Sequence, residues 1–179
     1  MNDIRTRLIA WDHKTSKHLQ ERPLWLKPFM QAVTFIGGAM FTTLLTLFLV
    51  IMLRRLENVF FSNLFLVVAV VMVVFGFLIK YVWRRKRPDT EYARNMFFAS
   101  YSFPSGHSLD STLLYGTLTY FISLHLSAWQ GAFCALGCIL LVLSIAYSRV
   151  YLGAHYILDV VAGILLGSAL LLTIILLIG

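Results

Sequence analysis

Charged residues are scarce in this sequence. Asp, Glu, Lys and Arg make up 13% of the 179 residues, about half of the roughly 25% that is usual in a soluble domain. Cysteine is scarcer: Cys134 and Cys138 are the two present, and their spacing of four places them on one helix face within an apolar stretch. These shortages argue against a soluble enzyme, a disulfide framework, a zinc site and a nucleic-acid-binding module.

The charges that remain leave long apolar windows between them. Residues 28–53, 58–79, 111–148 and 160–179 contain no Asp, Glu, Lys or Arg. A membrane span needs about 20 residues, so the third window, 38 residues long, predicts two helices with a hinge at 125–130. The predicted fold is an all-α polytopic transmembrane bundle with five spans, 35–53, 59–79, 108–126, 130–148 and 156–178.

The first 34 residues follow a different pattern, in which Lys and Arg alternate with Leu, Ile and Trp. We expect 1–34 to form a basic amphipathic helical segment lying at the headgroup level, with a partly ordered polar tail as the alternative. No apolar core and cleavage site follow the basic residues, so a signal peptide is not expected. Residues 35–179 are predicted to form a single membrane domain.

Polar residues that a membrane protein normally avoids are concentrated in three places. They lie at 80–88, where the second predicted span ends; at 104–107, before the third span; and at 148–159, between the fourth and fifth spans. Because successive spans alternate in direction, all three stretches emerge on the same face of the membrane. A single shared site is therefore topologically possible.

The residue types in these stretches suit a phosphate group. Lys80, Arg87 and Arg149 are cations, and the arginine fork matches phosphate oxygens in a bidentate manner. Ser105 and Gly106 precede a predicted helix, whose free N–H groups and dipole favour an anion.

Two histidines add the chemistry of group transfer. His155 and Asp159 are four residues apart, so the carboxylate can accept one ring N–H of His155 and leave the other nitrogen as an oriented nucleophile. His107, from another helix, can protonate a leaving oxygen. Cations, a nucleophile and a proton donor together indicate a phosphoryl-transfer site.

Each element alone has a plainer interpretation. The basic run 84–87 is typical of a flank that binds lipid headgroups, the 104–107 turn is a weak helix-start signal, and a His–Asp pair can be structural. The order and spacing of the whole set are more specific, and they are Lys80-(six residues)-Arg87-Pro88, Pro104-Ser105-Gly106-His107, and Ser148-Arg149-(five residues)-His155-(three residues)-Asp159.

This pattern resembles the type 2 phosphatidic acid phosphatase (PAP2) superfamily, whose three motifs match without a substitution. The resemblance implies a metal-independent phosphatase that needs no cofactor and works through a phosphohistidine, which water then hydrolyses. It also implies the role of each residue: His155 attacks phosphorus, Asp159 orients it, His107 protonates the leaving group, and Lys80, Arg87, Ser105, Gly106 and Arg149 hold the phosphoryl oxygens.

The side of the membrane is predicted differently by two arguments. Thirteen of the 15 Lys and Arg lie on the side of the N-terminus and the site, which the positive-inside rule assigns to the cytoplasm. Bacterial lipid phosphatases of the resembled family commonly face outward, and many have six spans where this sequence predicts five. We expect an inner-membrane protein whose site faces outward, as the resemblance implies.

The expected function is hydrolysis of a membrane lipid phosphate. Phosphatidylglycerophosphate, undecaprenyl diphosphate, phosphatidic acid and a lipid A phosphate are all admissible substrates, and the expected partners are that lipid and the bilayer, with no nucleic acid. One alternative is a lipid phosphotransferase that passes the phosphoryl group to another lipid. Another is a non-catalytic membrane lipid-binding protein. A transporter fits less well, because no paired halves with broken helices are visible.

Overall fold

The chain folds as a bundle of α-helices. The computed structural model describes residues 2–21, 23–96 and 101–178, and within those ranges it contains no β-strand. Arg22 of the basic N-terminal segment and residues 97–100 of the loop before the third predicted span lie outside the described residues. The helices are α1 (Asn2–Gln20), a 3₁₀ turn (Leu24–Leu26), α2 (Lys27–Ile36), α3 (Ala39–Arg55), α4 (Val59–Trp83), α5 (Glu91–Arg94), α6 (Gly106–His125), α7 (Ala128–Tyr151) and α8 (Ile157–Ile178).

Five long helices, α3, α4, α6, α7 and α8, occupy the places of the five predicted spans. By length and composition, α4, α7 and α8 can each cross a membrane, and Leu24–Ile36 together with Ala39–Arg55 forms a fourth candidate that is bent by 44°. The all-helical membrane fold is therefore confirmed, whereas the count of five spans is not. The predicted start of the first span at residue 35 falls inside α2, because the chain breaks at Gly37 and Gly38 before α3 begins.

Helix α6 is the centre of the bundle. It packs against α3, α4, α7 and α8, and its first half, Ser108 to Tyr115, is buried. Because neighbouring helices surround it, α6 can carry serines, threonines and an aspartate where a lipid-facing helix would need apolar side chains. This position brings the N-terminus of α6 between the ends of α4, α7 and α8, where the three polar stretches of the sequence lie.

Helix α8 approaches α6 closely through two glycines. A Cβ built on Gly163 would lie 2.6 Å from the carbonyl oxygen of Ser105, and one on Gly167 would lie 2.9 Å from Cβ of Thr112. No larger residue fits these contacts without a shift of the backbone. The glycines thus set the distance between the start of α6 and the start of α8.

Of the N-terminal segment 1–34, Asn2–Gln20 form helix α1, and the part from Leu24 onward forms the 3₁₀ turn and the start of α2. The apolar side chains Ile4, Leu8 and Trp11 of α1 are exposed, as a helix at the headgroup level requires. Helix α1 also packs against α7 and α8. Its position relative to a membrane, and the division of the chain at residue 34, remain predictions.

Candidate active site

His155 and Asp159 are brought together by the connection between α7 and α8. Nδ1 of His155 lies 3.6 Å from Oδ2 of Asp159, and both side chains are buried. This separation is longer than a formed hydrogen bond. Catalytic contacts of this kind are often long before substrate binds. The two residues therefore face each other as predicted, but not on one helix face, because α8 begins at Ile157 and His155 lies in the connection before it.

The other nitrogen of His155 faces Arg87. Nη1 of Arg87 is 3.1 Å from Nε2 of His155 and donates to the carbonyl oxygen of Ala154 at 3.0 Å. A guanidinium has no acceptor, so Nε2 must be the acceptor and the ring proton is assigned to Nδ1, on the side of Asp159. Burial, together with the charges of Arg149 and Arg87, lowers the pKa of His155 to about 3 despite Asp159. The imidazole is therefore neutral at pH 7.

Arg149 is buried at the end of α7, where its contacts are with neutral groups. Nη1 donates to Oγ1 of Thr34 at 2.6 Å and to the hydroxyl of Tyr92 at 3.3 Å, and Nη2 contacts Sδ of Met96 at 3.8 Å. Within the described parts of the chain, its Nε has no hydrogen-bond partner. A buried N–H donor without an acceptor costs about 1–3 kcal/mol of stability. An anionic oxygen bound beside Nε of Arg149 would remove that cost.

Lys80 and Arg87 extend the positive charge around the start of α6. A Cβ built on Gly106 would lie 3.6 Å from Nζ of Lys80, so the glycine leaves room for the ammonium beside the first turn. The charges of Arg87 and Arg149 both act on Lys80. Burial, and then Arg149, lowers the pKa of Arg87 to about 10, while Asp159 opposes the change. The two guanidinium groups remain cations at pH 7, and all three side chains converge on one region.

Ser105 caps helix α6. Its Oγ accepts the backbone N–H of Ser108 at 3.4 Å and the hydroxyl of Ser108 at 3.1 Å. Its backbone N–H donates to the carbonyl oxygen of Asp159 at 2.9 Å. This bond fixes the 104–107 turn to the first turn of α8, so that the N–H groups of α6 and the His155–Asp159 pair keep a constant separation.

His107, two residues after that cap, is half-buried. A Cβ built on Gly38 would lie 3.8 Å from Nε2 of His107, which places the ring beside the break between α2 and α3. The charges of Arg149, Lys80 and Arg87 act on His107. The fold thus gathers all eight sequence-predicted site residues at one end of the bundle.

A cavity of about 360 Å³ adjoins these residues. It lies between α2, the first turn of α3 and α5. Its wall is polar near the site, where Thr34 and Tyr92 also bind Arg149, and apolar away from it. Its lining includes Thr34, Phe35, Met40, Phe41, Tyr92 and His107.

Ser102 is a site residue that the sequence did not reveal. It is buried, its hydroxyl donates to Oδ2 of Asp159, and the same oxygen atom of Ser102 lies 3.4 Å from Nδ1 of His155. The N–H of Tyr156 donates to the same carboxylate oxygen at 2.9 Å. The only sequence signal was its position just before the 104–107 motif.

Arg85 was also misjudged from the sequence. Its Nη1 donates to Oδ1 of Asp159 at 2.7 Å, so the interpretation of the 84–87 run as a headgroup-binding flank does not hold for this arginine. Oδ1 and Oδ2 of Asp159 thus have different partners, Arg85 on one side and Ser102 on the other.

Among the residues that the structure describes, no group of three or more His, Cys, Asp or Glu could hold a metal ion. Three cations, two histidines and a set of N–H donors form a group suited to anionic oxygens.

Comparisons with known proteins point in one direction. Residues 60–179 match the family model described as the PAP2 superfamily. Phosphatidylglycerophosphatase B of Bacillus subtilis (strain 168) is 32% identical over 158 residues, which cover 83% of this chain and 73% of that protein. Undecaprenyl-diphosphatase of Sulfolobus acidocaldarius is 39% identical over 103 residues, 55% of this chain and 46% of that protein. The crystal structure of a transmembrane PAP2 type phosphatidylglycerolphosphate phosphatase from Bacillus subtilis superposes with a TM-score of 0.85 at 26% identity, covering 96% of this chain and 86% of that one.

Proposed function

The chain belongs to the PAP2 superfamily, and on that basis we propose that it hydrolyses a phosphorylated membrane lipid through a phosphohistidine on His155. It is an integral membrane protein of a phosphatase family. The observation that carries the proposal is the environment of His155, with Asp159 beside Nδ1 and Arg87 at Nε2.

In the first step, Nε2 of His155 attacks the phosphorus atom. A nitrogen–phosphorus bond forms, and the bond from phosphorus to the lipid oxygen breaks. The ring gains positive charge as it attacks, and the carboxylate of Asp159 stabilises that charge from the Nδ1 side. The low pKa of His155, about 3, supports this role because the nucleophile is unprotonated at pH 7.

The three cations bind the phosphoryl oxygens. Arg87 donates to Nε2 of His155 in the structure, and a substrate phosphate would replace that nitrogen as its acceptor, which exposes the lone pair for attack. The Nε of Arg149, without a partner among the described residues, and Nζ of Lys80 supply further donors. The N–H of Gly106 and the N-cap Ser105 extend the cradle at the start of α6.

His107 is proposed as the acid and then the base. In the first step its protonated form, the imidazolium, gives one proton to the leaving oxygen of the lipid and becomes neutral. In the second step it accepts a proton from water, which attacks phosphorus as the nitrogen–phosphorus bond breaks and inorganic phosphate leaves. Its place on the cavity wall supports contact with both the leaving group and the entering water.

The cavity beside His107 supports a lipid as the substrate. Its polar end meets Arg149 through Thr34 and Tyr92, and its apolar end is formed by Phe35, Met40 and Phe41, of which Phe35 and Met40 are exposed. When the phosphate of the lipid is bound in the site, its glycerol or prenyl part would therefore extend toward the apolar wall. Phosphatidylglycerophosphate is the first substrate to test, because the relative of that name matches most of this chain.

The site is proposed to face outward from the inner membrane. Helix α1 lies at the same end of the bundle as the site, since Asp12 contacts the first turn of α8. If the site faces outward, a membrane-impermeant thiol reagent added outside intact cells should label Asp89→Cys, in the exposed loop before α5. The experiment uses a background without Cys134 and Cys138. Glu57→Cys, in the turn between α3 and α4, is the matched control and should be protected. The opposite pattern would place the site inside.

Phosphate release from the purified full chain in detergent, with EDTA present, tests the function. We expect release from at least one of phosphatidylglycerophosphate, phosphatidic acid, undecaprenyl diphosphate and a lipid A phosphate. His155→Ala should reduce it by at least about a thousandfold, whereas His18→Ala, at an exposed histidine of α1, should not. Release that appears only when an acceptor lipid is added would indicate a phosphotransferase. Strong inhibition by EDTA that a divalent ion reverses would contradict the mechanism.

A further inference from the structure

The N-terminal helix reaches the group that orients the nucleophile. Asp12 of α1 is fully buried, and its Oδ2 accepts a hydrogen bond from Nη2 of Arg85 at 2.6 Å. Nη1 of the same guanidinium donates to Oδ1 of Asp159 at 2.7 Å. One arginine therefore bridges two carboxylates that lie 147 positions apart in the sequence, Asp12 and Asp159.

The same face of α1 also caps the helix that carries Asp159. Oδ1 of Asp12 accepts the N–H of Leu158 at 3.1 Å, and Oγ of Ser16 accepts the N–H of Ile157 at 3.0 Å. These are N–H groups of the first turn of α8, which have no partner within their own helix. Helix α1 thus provides side-chain caps that an N-cap residue would normally supply.

Arg85 is fixed by further contacts. Its guanidinium lies over the ring of Tyr156, 4.4 Å from the centroid, and that ring stacks on His13 of α1. Its carbonyl oxygen accepts the N–H of Ser102 at 2.7 Å, and the Ser102 hydroxyl donates to Asp159. The side chain of Arg85 therefore contacts Oδ1 of Asp159 directly. Its backbone carbonyl positions Ser102, whose hydroxyl contacts Oδ2.

We infer that Arg85 and Asp12 are positioning residues for the proposed reaction, with Arg85 holding Asp159 against His155 and Asp12 holding Arg85. The inference rests on the proposed function, since it assigns the support of the same nucleophile. It makes the N-terminal helix part of the active-site structure as well as a surface segment.

The charges explain why two residues are needed. Arg85 alone would neutralise Asp159 and weaken its stabilisation of the positive charge that develops on His155. The carboxylate of Asp12 offsets the guanidinium charge, so that Arg85 orients Asp159 while the Asp12–Arg85 pair adds little net charge. A lysine at position 85 would keep the charge but could not donate to both carboxylates in the fixed geometry of the fork.

Kinetics of the full chain on the lipid that the wild type hydrolyses fastest test the inference. Arg85→Met and Arg85→Lys should each lower kcat by about 10- to 100-fold, as is usual for groups that orient reacting residues, with KM within about threefold. Asp12→Asn keeps an acceptor for the N–H of Leu158 but loses the charge, and it should lower kcat by about tenfold. In the Arg85→Met background, Asp12→Asn should have no further effect, because it acts through Arg85.

Two variants on the same helix serve as matched controls. Ser16→Ala removes a cap of α8 but leaves the contacts of Arg85 with Asp12 and Asp159 in place. It should therefore lower thermal stability while kcat stays within about threefold. Asp3→Asn removes the exposed Asp3–Arg7 pair and should change neither quantity. If Arg85→Met fails to fold, as judged by size-exclusion chromatography, the kcat of Arg85→Lys alone tests the inference.

The outcomes separate this inference from the proposed function. Wild-type kcat in Arg85→Lys, or additive effects of Asp12→Asn and Arg85→Met, would overturn the inference while leaving phosphatase activity intact. Equal losses of kcat in Ser16→Ala and Asp12→Asn would also overturn it, because docking of α1 would then explain both. A folded wild type that releases phosphate from no lipid would contradict the proposed function itself.

Discussion

Arg87 donates a hydrogen bond to Nε2 of His155 at 3.1 Å, so a cation that would bind phosphate holds the nitrogen that would attack it. A neutral imidazole with this partner has its proton on Nδ1, facing Asp159. Arrival of a phosphate gives Arg87 a charged acceptor, which forms a stronger bond than a neutral ring nitrogen does. Binding of the substrate and exposure of the nucleophile are thereby coupled in one side chain.

Replacement of Arg149 by lysine should be costly although the charge is retained. The guanidinium contacts Thr34 and Tyr92 through Nη1 and has a buried Nε without a partner among the described residues, and a lysine cannot supply this planar set of donors. Loss of one hydrogen bond to a charged group, about 1.5–3 kcal/mol, corresponds to about a 10- to 100-fold fall in kcat/KM.

The matched control for that variant is Arg94→Lys. Arg94 forms an exposed ion pair with Asp89, which contributes little. Steady-state kinetics of both variants on the preferred lipid make the comparison. A change within twofold for Arg149→Lys would exclude the fork as the reason for an arginine at this position.

Ser102→Ala should lower kcat by about tenfold with little change in KM, since the hydroxyl holds Oδ2 of Asp159 beside His155 and touches no part of the proposed substrate path. Ser123→Ala is the control, because its hydroxyl donates to the carbonyl oxygen of Tyr120 on an exposed face of α6, away from the site. If KM rises and kcat is unchanged, Ser102 belongs to substrate binding and not to the orientation of Asp159.

Gly163→Ala should destabilise the protein and reduce its activity. The added Cβ would lie 2.6 Å from the carbonyl oxygen of Ser105, so α8 must move away from the turn that carries the phosphate cradle, and overpacking of this kind costs about 1–3 kcal/mol. Gly137→Ala, in α7, is the control because a Cβ built there would have no neighbour within 4 Å among the described residues outside its own stretch of helix. Thermal unfolding in detergent should give a lower midpoint for Gly163→Ala alone, and equal midpoints would refute the close-contact argument.

The buried, neutral His155 should make stability depend on pH. Its pKa is lowered from 6.5 to about 3, chiefly by burial, so below pH 6.5 the unfolded chain binds a proton that the folded chain does not. The contribution of neutral His155 to the free energy of unfolding is therefore lost progressively as the pH falls from about 6.5 toward 3. Between pH 7 and pH 5, the unfolding midpoint of the wild type should fall more than that of His155→Gln.

The exposed-histidine variant His18→Gln completes that experiment as the matched control and should keep the wild-type dependence on pH. A His155→Gln protein whose midpoint falls as steeply as that of the wild type would mean that His155 is not held neutral by burial.

The helices were predictable because hydrocarbon excludes charge. Gaps between charged residues place α4, α7 and α8 within a few residues of their ends, and the hinge at 125–130 was confirmed where α6 ends at His125 and α7 begins at Ala128. The break at Gly37 and Gly38 was missed, since the window 28–53 is apolar on both sides of it. Composition gives the extent of an apolar stretch but not the angle between its two parts.

The site was predictable to the extent that its chemistry is concentrated in short motifs. His155 and Asp159 are close in the sequence, so a contact between them was predictable, although it forms in the turn before α8 and not on one helix face. Asp12, Arg85 and Ser102 meet Asp159 only through tertiary packing of distant segments. No periodicity or local spacing encodes such contacts, and a basic run at a membrane boundary has an adequate explanation in headgroup binding alone.

Detection of the phosphohistidine tests the central claim most directly. Wild-type protein, mixed with lipid substrate labelled in its phosphate and quenched within milliseconds, should carry an alkali-stable, acid-labile label that peptide mapping places on His155. His107→Ala should both gain and lose the label more slowly, because it lacks the acid of the first step and the base of the second, and His155→Ala should carry none. Phosphate release by the wild type with label on another residue, or undiminished release by His155→Ala, would contradict the account.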